Sequence, residues 1–310
     1  MSCDTEEAWG TEASPIGLAG VGKIGTEVAR RLSSNGCKIV LYNRTRRKAD
    51  ALASEIGASV VDSPGELAAS CGLVLSILSE WSAVQGVYHG PQGFLANSTK
   101  NSVFVELTTL GPTLMKQLAG WVSEAGASLV DASITGRPVD IANGHGLLMA
   151  GGEDEHITRL ESLLSPIGAF RHTGVVGSGS AMKLVVNMML FTTLESIAEA
   201  LNLAEKSGVE RDVAYDLLGL SPVSSKILQY RRDEILFPGA APVQATLSTA
   251  AKDLELIVSL AKDAGAYIPQ AMKVRDVFAA AEDAGFGPRD VTSIAEFMRR
   301  DSARGLVEGD

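Results

Sequence analysis

Short apolar runs alternate with amphipathic stretches over the first half of the chain. The apolar runs predict buried strands, and the stretches between them, where apolar residues recur every three or four positions, predict helices. Strands are predicted at 16–19, 38–42, 59–61, 73–78, 103–106, 129–130, 146–150 and 169–172, with helices from 26 and at 64–69, 82–87, 112–125 and 154–164. This alternation predicts an α/β fold with a doubly wound, mostly parallel sheet, whose ligand lies at the carboxyl ends of the strands.

From residue 178 onward the pattern is almost entirely helical. Helices are predicted at 180–206, 211–218, 225–232, 247–264, 269–284 and 291–299. Glycine and proline separate them, as at Gly208, Pro222 and Gly265. We therefore expect a flexible polar tail at 1–13, an α/β domain at 14–177 and an all-α domain at 178–310. The long helix at 180–206 is expected to join the two domains.

Composition narrows the class of protein. The chain has 310 residues, of which 45% are hydrophobic, and 32 glycines, which suits a compact globular protein of two domains. The net charge of −10 argues against nucleic acid or an anionic membrane as the main partner, but not against an anionic small ligand.

Cysteine usage and the N-terminal sequence bear on the compartment. The three cysteines form no C-x-x-C pattern, so we expect no disulfide framework and no structural zinc. The first thirteen residues contain no apolar signal region, and we expect no run of membrane-spanning length. A cytoplasmic protein without a bound metal is the resulting expectation.

A glycine-rich turn follows the first predicted strand. It reads Gly20-Val21-Gly22-Lys23-Ile24-Gly25, a G-x-G-x-x-G sequence between a strand and a helix. In this setting the first glycine permits the tight turn, the second lets backbone approach a pyrophosphate, and the third lets helix pack on strand. We expect these residues to bind a dinucleotide in a Rossmann-type domain. The alternative is a tight turn that binds nothing.

The end of the second predicted strand indicates which dinucleotide. A site for NAD(H) usually has an acidic residue there to hold the ribose 2′-hydroxyl. This chain instead has Asn43-Arg44-Thr45, with Arg46 and Lys48 nearby. Such a cluster would pair with a 2′-phosphate, so NADP(H) is expected. The alternative is a solvated helix start, but basic residues there oppose the helix dipole.

Three further loops should face the same ligand. They follow Leu78, Glu106 and Val130, at the ends of predicted strands. The loops carry Ser79, Thr108, Thr109, Ser133, Ile134, Thr135, Gly136 and Arg137. Their hydroxyl groups and one guanidinium are candidate contacts to cofactor or substrate.

Lys183 and Asn187 interrupt an otherwise apolar helical stretch. Residues four apart lie on one face of a helix. A lysine in the apolar middle of a helix is costly unless its ammonium reaches water or has a function. The stretch alone leaves two interpretations open, a lysine extending to solvent beside a structural asparagine, or a catalytic pair.

Five motifs, in order, resemble those of the β-hydroxyacid dehydrogenase family, which includes 3-hydroxyisobutyrate dehydrogenases and semialdehyde reductases. They are the segments 16–25 (IGLAGVGKIG), 106–112 (ELTTLGP), 131–137 (DASITGR), 177–187 (GSGSAMKLVVN) and 252–254 (KDL). They resemble the family's cofactor signature, D-x-S-T-x-x-P loop, substrate-carboxylate loop, catalytic helix and K-D-L motif. The resemblance spans about residues 16 to 298.

The resemblance implies reversible hydride transfer between a nicotinamide and a carbonyl carbon. Lys183 would be the general acid and base, and Asn187 would orient the substrate hydroxyl or hold the lysine. Thr135 and Gly136 would bind a substrate carboxylate. The implied cofactor contacts also include Leu78, Ser79, Thr109 and Lys252. With the family pattern, the interpretation of Lys183 moves to catalysis.

Several positions depart from the family pattern. Ser133, Thr135 and Arg137 stand where the family has proline, serine and glycine. If Arg137 faces the pocket, it would pair with a second carboxylate or a phosphate; if it faces solvent, it is uninformative.

Two other functions are open besides NADPH-dependent reduction of a small aldehyde acid. An imine reductase on the same scaffold is the first, although that family usually has Asp or Tyr where this chain has Lys183. A non-catalytic NADP(H)-binding module is the second. A homodimer or homotetramer is expected, because the long apolar helix suggests a surface covered by another subunit.

Overall fold

The computed structural model describes residues 9–96, 100–239 and 241–302, and the backbone only of 301 and 302. Cys3, one of the three cysteines, lies outside these ranges. The chain forms two compact units, Met1–Lys183 and Leu184–Asp310. The boundary lies six residues beyond the one expected from the sequence, because the first turns of the long helix belong to the first unit.

Among the described residues, the first unit contains one sheet of eight strands. The strands are β1 (Ile16–Ala19), β2 (Ile39–Tyr42), β3 (Ser59–Val60), β4 (Leu73–Ser76), β5 (Val103–Glu106), β6 (Ser128–Thr135), β7 (Gly146–Gly151) and β8 (Gly168–Gly174). Their spatial order is β3-β2-β1-β4-β5-β6-β7-β8, and only the β6–β7 pair is antiparallel. The reversal of strand order beside β1 is the place where doubly wound sheets bind nucleotides.

Helices cover both faces of this sheet. They are α1 (Lys23–Ser34), α2 (Arg46–Ile56), α3 (Pro64–Ser70), α4 (Trp81–His89), α5 (Pro112–Glu124), α6 (Pro138–Ala142) and α7 (Asp154–Leu164). Alternate residues of β1 enter opposite layers, with Leu18 in one hydrophobic cluster and Ala19 in the other. All four residues of β1 are buried, as expected for a central strand covered on both faces.

Strand β6 is longer than the sequence predicted. The sequence predicted a two-residue strand followed by a loop carrying Ser133 to Arg137. The strand instead continues to Thr135 and pairs with β7, with Asp131 opposite Gly151 and Thr135 opposite Leu147. Polar residues in this segment concealed the strand, because the ladder to β7 depends on a partner that is distant in sequence.

The N-terminal segment is a second correction. Residues 1–8 of the predicted tail lie outside the described residues, but the chain packs on the domain from Trp9 onward. The Arg159 guanidinium lies 3.8 Å from the centre of the Trp9 ring, and the Lys38 N–H donates to the Gly10 carbonyl at 2.9 Å. Residues 9–13 therefore belong to the α/β domain.

The second unit is helical, as predicted. Its helices are α8 (Ser178–Lys206), which begins in the first unit, α9 (Arg211–Leu220), α10 (Lys226–Tyr230), α11 (Arg232–Leu236), α12 (Leu247–Ala264), α13 (Pro269–Ala281) and α14 (Ile294–Ser302). The single helix expected at 225–232 is interrupted at Arg231, where α10 ends and α11 begins.

Helix α8 also differs from an expectation. Among the described residues it is the one helix long and apolar enough to cross a membrane, with a mean hydropathy of 1.4, whereas the sequence suggested no such run. Half of its most apolar window is buried inside the protein.

Candidate active site

Two glycines of the turn between β1 and α1 are required by packing, and a third is not. Gly20 has a φ of +102°, and a Cβ there would lie 2.1 Å from the Ile77 carbonyl oxygen. A Cβ at Gly25 would lie 2.0 Å from the Gly20 oxygen. Gly22, at the N-cap of α1, is exposed, and a Cβ there would meet no atom within 4 Å. This open approach to a helix N-terminus without acidic residues fits a pyrophosphate.

Asn43 ties the end of β2 to the same turn. Its Oδ1 accepts a hydrogen bond from the Val21 N–H at 2.9 Å, and its Nδ2 donates to the Thr45 carbonyl at 2.9 Å. The side chain predicted to lie at the ribose therefore holds the glycine-rich turn. Lys23 is exposed and Ile24 half-buried on the first turn of α1.

The basic cluster after β2 is only partly compensated by acids. Arg44 is exposed, as is Thr45 at the N-cap of α2. Arg46 pairs with Asp62, and its Nε lies 3.4 Å from Asp50 Oδ1. The guanidinium of Arg46 is thus held by protein carboxylates, which leaves Arg44 as the better candidate for a phosphate contact.

A buried carboxylate joins the ends of β4 and β5. Glu106 is fully buried, and it accepts hydrogen bonds from the Ser76 hydroxyl at 2.6 Å and the Thr108 N–H at 2.8 Å. Burial raises the pKa of Glu106, although these hydrogen bonds oppose the shift. The Thr108 hydroxyl accepts from the Leu78 N–H at 2.8 Å. Glu106 therefore fixes both loops that were predicted to contact the cofactor.

Those loops lie beside the glycine-rich turn. Leu78 Cδ2 would be 3.2 Å from a Cβ at Gly20. Leu78 and Thr109 are half-buried, and Ser79 is exposed. The structure thus brings together the turn after β1, Asn43 and the loops after β4 and β5 at one edge of the sheet.

The predicted carboxylate-binding residues lie at the same edge, because β6 runs parallel to β5. Thr135 is the half-buried last residue of β6, and Gly136 is exposed with a φ of +140°. Only glycine adopts this conformation readily, so the position directly after the end of β6 favours glycine.

Arg137 is held by its own helix. Its backbone N–H and its Nε both donate to Asp140 Oδ2, at 2.8 and 3.0 Å, and its Nη2 donates to Asp140 Oδ1 at 2.9 Å. The side-chain hydrogen bond from Arg137 keeps the pKa of Asp140 below its usual value. The guanidinium is 29% exposed and forms a bidentate pair. Asp140, three residues later, therefore fixes the direction of the Arg137 side chain.

Lys183 and Asn187 lie one turn apart on α8, as the sequence predicted. Both are largely removed from solvent, at 9% and 4% exposure. Neighbours on the other face of the helix, such as Met182 and Val185, are exposed at 40% and 43%. The polar pair is therefore buried while apolar residues are exposed, the reverse of what a solvent-directed lysine requires.

An acidic residue orients Asn187. Asp253 on α12 is 4% exposed, and its Oδ2 accepts a hydrogen bond from Asn187 Nδ2 at 2.8 Å. The Lys252 ammonium lies 3.1 Å from Asp253 Oδ1. A carboxylate accepts only from the amide nitrogen, so the Asn187 carbonyl oxygen points the other way. Lys252, predicted to reach the cofactor, is paired with Asp253 within the second unit.

Sequence reasoning gave no role to three buried acids, Glu106, Asp131 and Asp253. Asp131 on β6 is fully buried and accepts hydrogen bonds from N–H groups at the start of α8. Each acid lies within a sequence motif, but the residue that donates to it lies far away in sequence. Ser76 is 30 residues from Glu106, Ser180 is 49 residues from Asp131, and Asn187 is 66 residues from Asp253. An acid among apolar residues at a strand end or in mid-helix was the available signal.

Metal ligands are not assembled in the described part of the chain. Across residues 9–96, 100–239 and 241–302, no group of three or more His, Cys, Asp or Glu side chains is placed to hold a metal ion.

Family models match both halves of the chain. Residues 15–179 match the NAD binding domain of 6-phosphogluconate dehydrogenase. Residues 177–298 match a domain described as the NAD-binding domain of NADP-dependent 3-hydroxyisobutyrate dehydrogenase. The two matches overlap at residues 177–179, where α8 begins.

Individual proteins are similar to the chain in sequence or in fold. The chain is 25% identical to glyoxylate/succinic semialdehyde reductase 2 of Arabidopsis thaliana, over 93% of this chain and 80% of the relative. In fold it is similar to a 3-hydroxyisobutyrate dehydrogenase from Salmonella typhimurium, with a TM-score of 0.82, 22% identity, and 92% and 99% of the two chains covered. An imine reductase from Myxococcus stipitatus is more distant, with a TM-score of 0.63, 17% identity, and 92% and 99% covered. The chain belongs to the β-hydroxyacid dehydrogenase family of NAD(P)-dependent oxidoreductases.

Proposed function

We propose that this protein uses NADPH to reduce the carbonyl of a small aldehyde or semialdehyde acid, and oxidises the corresponding β-hydroxyacid in reverse, with Lys183 as general acid and base. The observation that carries the proposal is the burial of Lys183 on an apolar helix, one turn before Asn187. An ionisable side chain that is removed from solvent beside a second buried polar side chain is a candidate functional residue.

The chemistry assigned to the protein is the handling of one proton. When bound, a nicotinamide cofactor supplies the hydride. In reduction, Lys183 donates a proton from its ammonium to the carbonyl oxygen as negative charge develops there. In oxidation, the neutral amine accepts the hydroxyl proton. The carbonyl oxygen of Asn187, oriented by Asp253, accepts a hydrogen bond from the substrate hydroxyl or from the Lys183 ammonium.

We assign the substrate carboxylate to Thr135 and Gly136. A threonine hydroxyl and the backbone N–H of an exposed glycine are both hydrogen-bond donors suited to a carboxylate. Arg137 is given a supporting role, because Asp140 already accepts three hydrogen bonds from it. A substrate with one carboxylate is therefore favoured over a substrate with a second anionic group that the Arg137 guanidinium would have to bind.

The preference for NADPH is supported by the residues after β2. Asn43 places an amide where an acid would repel a 2′-phosphate, and Arg44 is exposed beside it. A guanidinium binds phosphate through paired, charge-assisted hydrogen bonds. The open N-cap at Gly22 is consistent with binding of the pyrophosphate at α1.

A substrate panel tests the proposal. Glyoxylate, succinic semialdehyde, tartronate semialdehyde and cyclic imines would each be supplied with NADPH and with NADH, and 3-hydroxyisobutyrate with NADP⁺ and NAD⁺, while nicotinamide absorbance is followed. We expect turnover of an aldehyde acid, with a higher kcat/KM for NADPH. A clear preference for NADH contradicts the role of Arg44. Turnover of imines alone contradicts the substrate class.

Imine reduction is the second candidate, because the fold is shared with an imine reductase. The ammonium of Lys183 favours the first candidate, since it can both donate a proton to a developing alkoxide and stabilise its charge. A preformed iminium ion already bears positive charge, and a nearby ammonium would repel it. A binding module without activity is disfavoured because the candidate catalytic lysine, Lys183, is present and buried beside Asn187.

We also propose a homo-oligomer, either a dimer or a tetramer. Apolar side chains of the second unit are strongly exposed, among them Leu203 on α8 and Leu217 and Leu220 on α9, at 69%, 59% and 87%. Burial of such residues is a common driving force for association. Light scattering is expected to give a mass at least twice the 32.4 kDa of one chain; a monomer at micromolar concentration contradicts this.

A further inference from the structure

One buried carboxylate connects two parts of the candidate site. Asp131 lies on β6 and is fully buried. Its Oδ1 accepts a hydrogen bond from the Gly177 N–H at 3.0 Å, and its Oδ2 accepts one from the Ser180 N–H at 2.7 Å. A buried carboxylate is tolerated only with such partners, and the positive end of a helix dipole adds to them.

The start of α8 is seated closely against the same strands. A Cβ at Gly179 would lie 2.3 Å from the backbone carbonyl oxygen of Met149 and 2.6 Å from that of Asp131, so no larger residue fits there. The Ser180 hydroxyl donates to the Gly177 carbonyl at 3.1 Å. Glycine permits the approach of the helix, and the carboxylate fixes it by two hydrogen bonds.

The connection is short in both directions. Lys183 follows Ser180 by three residues on α8, or about 4.5 Å along the helix axis. Thr135 follows Asp131 by four residues on β6, or about 13 Å along the strand. We propose that Asp131 is a positioning residue for catalysis, which fixes the helix carrying Lys183 relative to the strand carrying Thr135. This inference rests on the proposed function.

Both carboxylate oxygens are needed for this role. An asparagine of the same size offers one oxygen acceptor and one NH₂ group. The NH₂ group would then face a backbone N–H, so one of the two hydrogen bonds is replaced by an opposed pair of donors. Burial raises the pKa of Asp131 to about 6, while the N–H groups of Ser180 and Gly177 lower it. At about pH 8 the carboxylate is ionised and accepts both hydrogen bonds.

A double-mutant cycle tests the proposal. The four proteins are the wild type, Asp131→Asn, Lys183→Ala and the double variant, each assayed at about pH 8 with NADPH and the best aldehyde acid of the panel. The kcat is expressed per cofactor-binding site, so unfolded protein does not contribute. Ser180→Ala, which keeps the backbone N–H and removes only the hydroxyl, serves as a milder perturbation of the same turn.

We expect Asp131→Asn to lower kcat about 10- to 100-fold with the Kd for NADPH changed less than about threefold. In the Lys183→Ala background the same substitution should cause little further loss, because it acts through Lys183. A full kcat in Asp131→Asn, or equal losses in both backgrounds, would overturn the positioning role. Near-normal turnover by Lys183→Ala would instead overturn the proposed function, whatever Asp131 does.

Discussion

Removing the carboxylate of Asp253 should slow turnover while leaving the fold in place. The Asp253 Oδ2 accepts a hydrogen bond from Asn187 Nδ2 at 2.8 Å, and Lys252 Nζ lies 3.1 Å from the other oxygen. In Asp253→Ala the Asn187 amide loses the partner that orients it. Its carbonyl oxygen is then no longer directed to one side, and the group proposed to accept a hydrogen bond beside Lys183 becomes mobile.

The size of the effect follows from the kind of hydrogen bond lost. A hydrogen bond to a buried, ionised carboxylate contributes about 1.5–3 kcal/mol. If that energy serves to hold Asn187 in the transition state, kcat should fall about 10- to 150-fold, at about 1.4 kcal/mol for each factor of ten. Asp253→Asn keeps one oxygen acceptor but loses the charge, and its kcat should fall only about 3- to 10-fold.

The assay compares kcat, the Kd for NADPH and the free energy of unfolding in urea. Asp263→Ala is the matched control, because Asp263 is an exposed acid on the same helix α12, and its kcat should equal that of the wild type. The reasoning is refuted if Asp253→Ala keeps the wild-type kcat, or if Asp253→Asn loses as much activity as Asp253→Ala.

Two further predictions concern other buried acids. Glu106→Gln should raise the Kd for NADPH about 3- to 10-fold, with a smaller change in kcat. The reason is that Glu106 accepts a hydrogen bond from the Thr108 N–H, and the Thr108 hydroxyl accepts one from the Leu78 N–H. Fluorescence titration with NADPH measures the Kd, and an unchanged Kd contradicts the prediction. Burial, together with the charge of Glu199, raises the pKa of Glu195 to about 7 from a usual 4.5. The folded state therefore binds the extra proton, and stability falls as pH rises through this window. The free energy of unfolding of Glu195→Gln should therefore exceed that of the wild type by about 1–3 kcal/mol at about pH 8, with little difference at about pH 4. Urea unfolding at both pH values measures this, and equal stabilities at pH 8 contradict it.

Local signals in the sequence were sufficient where an element carries its own start and stop. The predicted bounds of α12 agree with the structure. The Thr246 hydroxyl accepts from the Thr249 N–H at its start, and Gly265, with a φ of +67°, ends it. The glycine-rich turn was equally clear, because Gly20 and Gly25 are required by contacts within a few residues of chain and one neighbouring strand.

The remainder depends on contacts between distant residues. The extension of β6 through Thr135 comes from pairing with β7, which no local pattern contains. Asp131 finds its partners 46 and 49 residues later, and Asp253 finds Asn187 66 residues earlier. Arg137 was a nearer case, since Asp140 stands three residues on and could have been considered as its partner.

Single-turnover kinetics of Lys183→Ala test the central claim most directly. The variant would be saturated with NADPH, mixed with excess aldehyde acid, and followed at the nicotinamide absorbance. Lys206→Ala, which removes an exposed lysine from the last turn of the same helix, is the control. We expect Lys183→Ala to bind NADPH as the wild type does and to oxidise it about 10²- to 10⁴-fold more slowly, as for loss of a general acid, while Lys206→Ala reacts normally. A Lys183→Ala protein that oxidises NADPH at the wild-type rate would contradict the account.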